Sequence, residues 1–267
     1  MSDPAAASAA FGRLVEIMAR LHGPGGCPWD REQTHATLRP YLLEEAYEVL
    51  EAIDSGDPGA LRDELGDLLL QVVFHAQLAA EAGRFDAADV ARAIAAKLVR
   101  RHPHVFGDVQ VCDADEVVRN WRRIKSEERR AKGDDHDLFA GVPQALPALL
   151  RADQLGEKAG HVGLDWADAV AVLEKVREEQ HELEAAVASA DRGAIEHELG
   201  DLLLAIASLG RHLGVSAELA LRTANDRFID RARRAESAAR ARGVALGDLS
   251  PQEIERLWQE AKRASDV

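Results

Sequence analysis

The sequence has few of the residues that stabilise β-sheets or small disulfide-rich proteins. Aromatic residues make up only 4% of its 267 residues, although aromatic and β-branched side chains are the ones that favour strands. Only Cys27 and Cys112 are present, without a paired spacing, so a disulfide framework is not expected and a reducing compartment fits. Alanine, leucine, glutamate and arginine are abundant instead, which predicts an all-α fold.

The chain also lacks an excess of positive charge and a long apolar run. Its formal net charge of −14 argues against a general nucleic-acid or anionic-membrane surface. No segment approaches the roughly 20 apolar residues that span a bilayer. The first ten residues, MSDPAAASAA, contain no basic region followed by an apolar one, so no signal peptide is predicted. We therefore expect a cytoplasmic protein with no nucleic-acid or membrane partner.

The most informative feature that the sequence does contain is the segment ELGDLLL, which occurs twice. It runs from Glu64 to Leu70 and from Glu198 to Leu204, an offset of 198 − 64 = 134 residues. Each copy places a Glu and an Asp in an otherwise apolar stretch. A helix that is apolar all round is normally buried, and buried acids need a partner. Both copies therefore predict a buried helix whose acids bind a cation.

The duplication extends well beyond this segment. EEAYE at 44–48 matches EEQHE at 178–182, again 134 residues apart. Basic and aromatic residues further along the chain recur at offsets that differ only by loop-sized insertions. We therefore predict a tandem repeat of one helical unit, with a first domain at 1–132, a linker at 133–147 and a second domain at 148–267.

Each repeat carries an EExxE helix followed, after a short turn, by an ExxD helix. Two such helices are antiparallel neighbours, and positions three or four residues apart share a helix face. On the first EExxE helix, a helical wheel places the acids on one face and the apolar residues on the opposite face. These apolar residues are Leu42, Leu43, Ala46, Val49, Leu50 and Ile53. The carboxylates expected to converge are Glu45, Glu48, Glu64 and Asp67 in the first repeat and Glu179, Glu182, Glu198 and Asp201 in the second.

Such a set of carboxylates suits a hard divalent cation. Without one, the carboxylates would repel and raise one another's pKa, and all-oxygen sites suit Mg²⁺ or Mn²⁺. One alternative is that EExxE is only a solvated helix face, which is common for that motif alone. Another is a di-iron bundle, which uses ExxH pairs, and Glu178-x-x-His181 and Glu32-x-x-His35 have that spacing. However, Tyr47 matches His181 in the first repeat, and Glu32 lies beside a turn.

Basic and aromatic residues downstream of the acids indicate an anionic ligand. Each repeat has two cations four residues apart, which share a helix face and could clamp an anion. Each also ends in a Trp with a Lys four residues later, which combines a π surface with a cation. Individually, such residues are commonly surface charges or core aromatics, but together with the acids they suggest a metal–nucleotide site. They are Lys97, Arg101, Trp121 and Lys125 in the first repeat and Arg227, Arg231, Trp258 and Lys262 in the second.

With these motifs in place, the sequence resembles the MazG type of nucleoside triphosphate pyrophosphohydrolase, an all-α family of helical bundles related to dimeric dUTPases. The resemblance covers nearly the whole chain. It rests on both acid sets, both W-x-x-x-K endings, GGCPWDREQTHATL (25–38), KLVRRHPHVFGD (97–108) and NDRFIDR (225–231). It implies Mg²⁺-dependent hydrolysis of (deoxy)nucleoside triphosphates to the monophosphate and pyrophosphate by a homodimer, which would remove surplus or non-standard nucleotides.

The resemblance also implies roles for individual residues. Basic residues bind phosphates, and the acids of EExxE and ExxD hold the metal. The implied metal ligands are Glu44, Glu45, Glu48, Glu64 and Asp67 in the first repeat and Glu178, Glu179, Glu182, Glu198 and Asp201 in the second. We expect Glu179, or its equivalent Glu45, to orient or deprotonate the attacking water. One departure is Arg227, which stands where the family's NxKF motif has Lys, and a forked guanidinium is not equivalent to an ammonium.

Two other classes of function stay open at this point. The chain could be a non-catalytic module that senses a nucleotide or a metal, or a purely structural helical scaffold. Intact acids in both repeats favour an enzyme over a sensor, since a sensor could lose the water-activating acid. The same observation leaves open which repeat is active.

Overall fold

The chain forms helices along most of its described length. The structure, a computed structural model, describes residues 3–131 and 137–265. All regular secondary structure in these residues is helical, so the predicted all-α class is confirmed. Contacts divide the chain into two compact units, unit 1 (Met1–Glu128) and unit 2 (Arg129–Val267). Residues 132–136, which are the last residue of the predicted first domain and the start of the predicted linker, lie outside the described residues.

Unit 1 contains the first repeat. Its helices are α1 (Pro4–His22), α2 (Pro28–Arg31), α3 (Arg39–Ser55), α4 (Pro58–Glu81), α5 (Ala87–Arg101), α6 (Pro103–Phe106) and α7 (Ala114–Ala131), whose last residues belong to unit 2. Met18 of α1, Leu38, and Val73 and Phe74 of α4 form its buried apolar cluster. The helix α4 therefore packs against α1 on one side and against α3 on another.

Unit 2 repeats the same order of helices. They are α8 (Ala148–Gly160), α9 (Ala169–Ser189), α10 (Arg192–His212), α11 (Ala217–Ala241) and α12 (Pro251–Ser265). The predicted capping box at the start of α12 is present, because Glu253 N–H donates to Ser250 Oγ and Ser250 N–H donates to Glu253 Oε2. The α11–α12 contact buries Ala235, Ala239 and Leu257.

The turns between the acid-bearing helices are two residues long and are built alike. α3 ends at Ser55 and α4 begins after Gly56 and Asp57, while Ala190 and Asp191 separate α9 from α10. Asp57 and Asp191 each accept a hydrogen bond from a backbone N–H of the first turn that follows. This capping satisfies donors that a helix start leaves unpaired. The short turns hold each pair of helices side by side.

Two sequence predictions about burial are wrong. α4 and α10 are not buried on all sides in the single chain: Leu65, Leu69 and Val72 are exposed, as are their equivalents Leu199, Leu203 and Ile206. We call these six residues the apolar face of α4 and α10. A helix can be apolar all round when one side of it contacts the same chain and another side remains available for a different surface.

The wheel for α3 also has to be corrected. The acids were predicted to lie opposite the core, but the buried residues of α3 are Val49 and Ala52, which lie on the same side as the half-buried Glu45. Leu42, Leu43 and Ile53 are exposed instead. The reason is that the acids of α3 and α4 meet across the contact between these helices, so the acids must face the neighbouring helix.

Among the described residues, no single helix is long and apolar enough to cross a membrane. The neighbouring helices α10 and α11 satisfy such a test together by length and composition, but they meet at an angle of 104°.

Candidate metal centre

A seven-residue spacing places one acid of each repeat inside a helix contact. In unit 1 this spacing joins Leu38, which precedes α3, to Glu45 and Ala52 within α3. In unit 2 it joins Val172, Glu179 and Ala186 of α9. The three residues of α9 are all buried. Residues seven positions apart lie on one side of a helix. The acids Glu45 and Glu179 therefore face the second acid-bearing helix of their own unit.

In unit 1, three carboxylates come together as the spacing predicts. Glu45, Glu48 and Glu64 each offer an oxygen, and these oxygens lie within 4.8 Å of one another. Burial, and then the negative charges of Asp67 and Glu48, raise the pKa of Glu45. Desolvation, followed by the charges of Glu48 and Asp67, also raises the pKa of Glu64. Carboxylates that repel one another in this way are stabilised by a shared cation.

Unit 2 contains the equivalent cluster. Oxygens of Glu179, Glu182 and Glu198 lie within 4.8 Å of one another. Desolvation, followed by the charges of Glu179 and Glu198, raises the pKa of Glu182. Glu179 is only 4% exposed, and its buried Oε2 atom has no hydrogen-bond partner. An orphaned carboxylate oxygen costs free energy unless a ligand satisfies it.

The other predicted metal ligands lie outside these two groups of three. Asp67 and Glu44 are close enough to Glu45 for their charges to raise its pKa. Glu178 is exposed and pairs with a lysine. Asp201 lies 3.4 Å from His197, measured between Oδ2 and Nε2. The structure thus places three acids of each repeat in the centre, with Asp67 and Glu44 close to the first cluster and Glu178 close to the second.

Lys175 is a neighbour of the second cluster that the sequence analysis missed. Its Nζ lies 2.6 Å from Glu179 Oε1 and 2.8 Å from Glu178 Oε1. The hydrogen bonds that its ammonium donates to these carboxylates, and then the carboxylate charges, raise the pKa of Lys175. Its position four residues before Glu179 is the signal that could have revealed it, because residues at this spacing are neighbours on a helix.

Both clusters fit a divalent metal ion. Each offers three carboxylates from two helices, and one buried oxygen of the second cluster lacks a partner. Hard ions such as Mg²⁺ and Mn²⁺ take oxygen ligands of this kind. The ExxH pairs of the di-iron alternative are not part of either cluster. His35 instead stacks on His75, with 2.8 Å between their Nδ1 atoms.

The predicted anion-binding residues of unit 1 contact one another. The Arg101 guanidinium and the Lys125 ammonium each lie 5.1 Å from the centre of the Trp121 ring. Arg101 also forms a salt bridge of 2.6 Å with Glu128 and is 12% exposed. Lys97, four residues before Arg101, is exposed. Arg101, Trp121 and Lys125 thus form one group, to which Glu128 supplies a negative charge.

The equivalent residues of unit 2 have the same exposure, position by position. Arg227 and Lys262 are exposed, and Arg231 and Trp258 are half-buried. The ring of Trp258 packs against that of Phe228, with 5.2 Å between centroids. In the part of the chain that the structure describes, no salt bridge or hydrogen bond joins Lys97, Arg227 or Lys262 to the acid clusters. These three cations therefore do not pair with the cluster carboxylates within the described chain.

Comparison with known proteins agrees with this arrangement. Residues 33–106 and 169–235 match the MazG nucleotide pyrophosphohydrolase domain. Over 254 residues the chain is 48% identical to the nucleoside triphosphate pyrophosphohydrolase of Escherichia coli strain K12, which covers 94% of this chain and 96% of that protein. It is 43% identical over 257 residues to the Thermotoga maritima nucleoside triphosphate pyrophosphohydrolase/pyrophosphatase MazG, which covers 96% of this chain and 97% of the relative.

The chain belongs to the MazG family. The predicted resemblance is confirmed, and the two matched segments confirm the tandem all-α repeat. Membership places the chain among the hydrolases of the pyrophosphohydrolase type. Each MazG segment contains one complete acid set and one pair of cations, whereas the two Trp–Lys pairs lie beyond the matched residues.

Proposed function

We propose that the chain hydrolyses nucleoside triphosphates to the monophosphate and pyrophosphate in a Mg²⁺-dependent reaction, with Mn²⁺ as a possible substitute. The observation that carries this proposal is the convergence of three carboxylates in each MazG segment, with oxygens within 4.8 Å of one another. The names of the two full-length relatives support the same reaction. (Deoxy)nucleoside triphosphates are polyanions, so the metal ion is also what allows an acidic cleft to accept them.

The chemistry is a hydrolysis of the anhydride between the α- and β-phosphates. When bound, Mg²⁺ activates water and offsets phosphate charge. Glu179, or Glu45 in the other unit, orients the attacking water and accepts its proton. At Glu45, burial raises the pKa, and a carboxylate with a raised pKa is a better base. The bond to the pyrophosphate leaving group then breaks. Arg227, Arg231 and Lys262 offset the charge that grows on the phosphates.

Changing Glu182 and Glu198 to Gln tests the role of the second cluster. The double variant removes two negative charges from the centre, so we expect Mg²⁺-dependent pyrophosphate release to fall by roughly 10²-fold or more. Release of pyrophosphate is measured with a panel of triphosphates. The matched control is Glu174→Gln with Glu196→Gln, because these acids are exposed on the same two helices and lie outside the cluster.

The outcome also separates an enzyme from the two other classes of function. A nucleotide sensor would bind triphosphates but release no pyrophosphate from the unaltered chain. A scaffold would show no rise in melting temperature with any divalent ion, since only a bound ligand stabilises the folded state. Unchanged turnover in the Glu182→Gln, Glu198→Gln variant would exclude catalysis by the second cluster.

We further propose that the chain is a homodimer. The apolar face of α4 and α10 exposes three large residues on each helix at equivalent positions. Between them, Gly66 and Gly200 have open space where a side chain would be, although Gly costs a helix about 1 kcal/mol relative to Ala. Close approach of a second helix would account for both features. A dimer buries such a face and brings acids and cations of different chains together.

The dimer is tested by placing a charge on this face. Leu69→Glu combined with Leu203→Glu should yield a monomer in light scattering, because a buried charge opposes association. Val162→Glu is the control, since Val162 is equally apolar and 63% exposed but lies in a loop. Unchanged mass in the double variant would contradict the dimer.

The cellular role that fits this chemistry is the removal of surplus or non-standard nucleotides in the cytoplasm. The net charge of −14 supports a small polyanion carried by a metal rather than nucleic acid or a membrane as the partner. The substrate panel described above is the test of this role. Preferential hydrolysis of non-standard triphosphates would support it, and equal rates for all triphosphates would favour control of the total nucleotide pool.

A further inference from the structure

One position next to the acid cluster differs in charge between the two repeats. Lys175 of unit 2 corresponds to Tyr41 of unit 1, 134 residues earlier. The Lys175 ammonium contacts Glu179 Oε1 at 2.6 Å. The Tyr41 ring instead packs edge-on against Trp29, with 5.7 Å between ring centres. The cluster of unit 2 therefore contains an internal cation where unit 1 has an aromatic ring.

A second position changes the charge in the same direction. His197 of unit 2 corresponds to Asp63 of unit 1. His197 lies 3.4 Å from Asp201, whereas the negative charge of Asp63 acts on Glu64 in the first cluster. Asp63 itself pairs with Arg62 at 2.6 Å, so the charge difference that directly contacts a cluster carboxylate is that of Lys175. The two clusters share their ligands but differ in the charge around them.

We propose that Lys175 is an internal counter-ion that weakens divalent-metal binding at unit 2, so that unit 1 takes up the metal first. This inference rests on the proposed metal-dependent function. A metal ion bound by Glu179 has to displace Lys175 from the carboxylate or tolerate its positive charge a few ångström away. At unit 1, no salt bridge among the described residues joins a lysine or an arginine to Glu45, Glu48 or Glu64, so the same ion has no ammonium to displace. The difference is a property of the free protein, before any nucleotide binds.

The physical scale of this effect is that of a charge–charge interaction at short distance. Two unit charges 4 Å apart interact by about 1 kcal/mol in bulk water and by more near a protein surface. A doubly charged ion doubles this interaction, and salt screens it. We therefore expect removal of the Lys175 charge to tighten metal binding at unit 2 by about tenfold.

The test uses the full-length chain and Mn²⁺ alone, with free Mn²⁺ measured by electron paramagnetic resonance. Glu48→Gln with Glu64→Gln removes the first cluster, so the remaining Mn²⁺ binding reports unit 2. Adding Lys175→Met, which keeps the apolar stem, should tighten that binding about tenfold. In the converse background, Glu182→Gln with Glu198→Gln, Tyr41→Lys should weaken binding at unit 1. The chain with all four Gln substitutions defines non-specific binding.

Two matched controls accompany these variants. Arg240→Met removes one positive charge from unit 2 at an exposed position paired only with Glu236 in the salt bridges of the described chain, and should leave Mn²⁺ affinity unchanged. Tyr41→Met removes the ring without adding a charge and should also have no effect. Equal Mn²⁺ affinity with and without Lys175 would overturn the inference while leaving the metal site intact. Absence of Mn²⁺ binding in both backgrounds would overturn the proposed metal function and the inference with it.

Discussion

At the scale of single residues, the turn between the two acid-bearing helices differs between the units. Gly56 adopts the left-handed conformation with φ of 69°, and at the equivalent position Ala190 has φ of 54°. A Cβ makes this conformation unfavourable by about 1–2 kcal/mol, whereas glycine adopts it freely. Unit 2 therefore keeps the same turn at a cost that unit 1 avoids.

Replacing Ala190 by Gly should therefore stabilise unit 2. The gain is expected to be about 0.5–1 kcal/mol, because relief of the left-handed conformation is partly offset by the greater freedom of glycine in the unfolded chain. The midpoint of urea denaturation measures it. Gly56→Ala is the reciprocal variant and should destabilise unit 1 by a similar amount. Loss of stability in Ala190→Gly would contradict this account of the turn.

The residues that sequence analysis could place are those fixed by short-range spacing. Glu45, Glu48 and Glu64 meet because three residues make nearly one helical turn and a two-residue turn folds α4 back on α3. The pairing of Lys175 with Glu179 has an equally short spacing, but i,i+4 pairs of opposite charge are common on exposed helices. Burial is what gives this pair its significance, and burial depends on packing that the spacing does not reveal.

At the scale of elements, a histidine pair attaches the segment before α3 to α4. The rings of His35 and His75 are stacked, with an interplanar angle of 9° and 2.8 Å between Nδ1 atoms. One nitrogen must donate and the other must accept, so the two rings cannot both be protonated in this geometry. Burial, followed by the neighbouring His35, lowers the pKa of His75.

This pair should make the stability of unit 1 depend on pH. Because the folded pKa of His75 is lowered, the unfolded chain binds more protons, and the free energy of unfolding rises with pH. We expect stability to fall as the pH drops below about 6.5, the usual pKa of histidine, and to level off below the lowered pKa. Thermal melts over this range measure the effect.

The control for the histidine pair is His75→Phe, which keeps a stacked ring but removes the titrating group. Its melting temperature should change less with pH than that of the unaltered chain over the same range. If both proteins lose stability equally as the pH falls, the pair does not cause the pH dependence.

The exposed apolar residues of α4 show that the sequence of a helix does not reveal which surface covers it. The apolar residues around α4 predicted that this helix is covered, but they carry no information on which surface covers it. Val73 and Phe74 pack within unit 1, whereas Leu65, Leu69 and Val72 remain exposed. A hydrophobic pattern therefore predicts that a helix is covered, and contacts within the described chain account for only part of that cover.

At the scale of the whole molecule, the two units differ in the acid that lies beside the cations of unit 1. Glu128 forms salt bridges of 2.6–2.7 Å with Arg101 and Arg100, and the hydrogen bond from Arg101 is the main reason why the pKa of Glu128 falls to about 2. Aligning Trp121 with Trp258 places Ser265 opposite Glu128. The carboxylate that closes the cation group of unit 1 thus has no acidic counterpart in the sequence of unit 2.

This difference predicts that unit 2 carries most of the turnover. A triphosphate that binds to unit 1 has to compete with Glu128 for Arg101, whereas Ser265 brings no charge to the position of Glu128 in unit 2. Glu48→Gln with Glu64→Gln should therefore retain most Mg²⁺-dependent pyrophosphate release, while Glu182→Gln with Glu198→Gln should lose it. Both double variants remove the same number of charges from equivalent positions, so each is the control for the other. Equal losses in the two variants would mean that both acid sets are needed, and a larger loss in the first would place catalysis in unit 1.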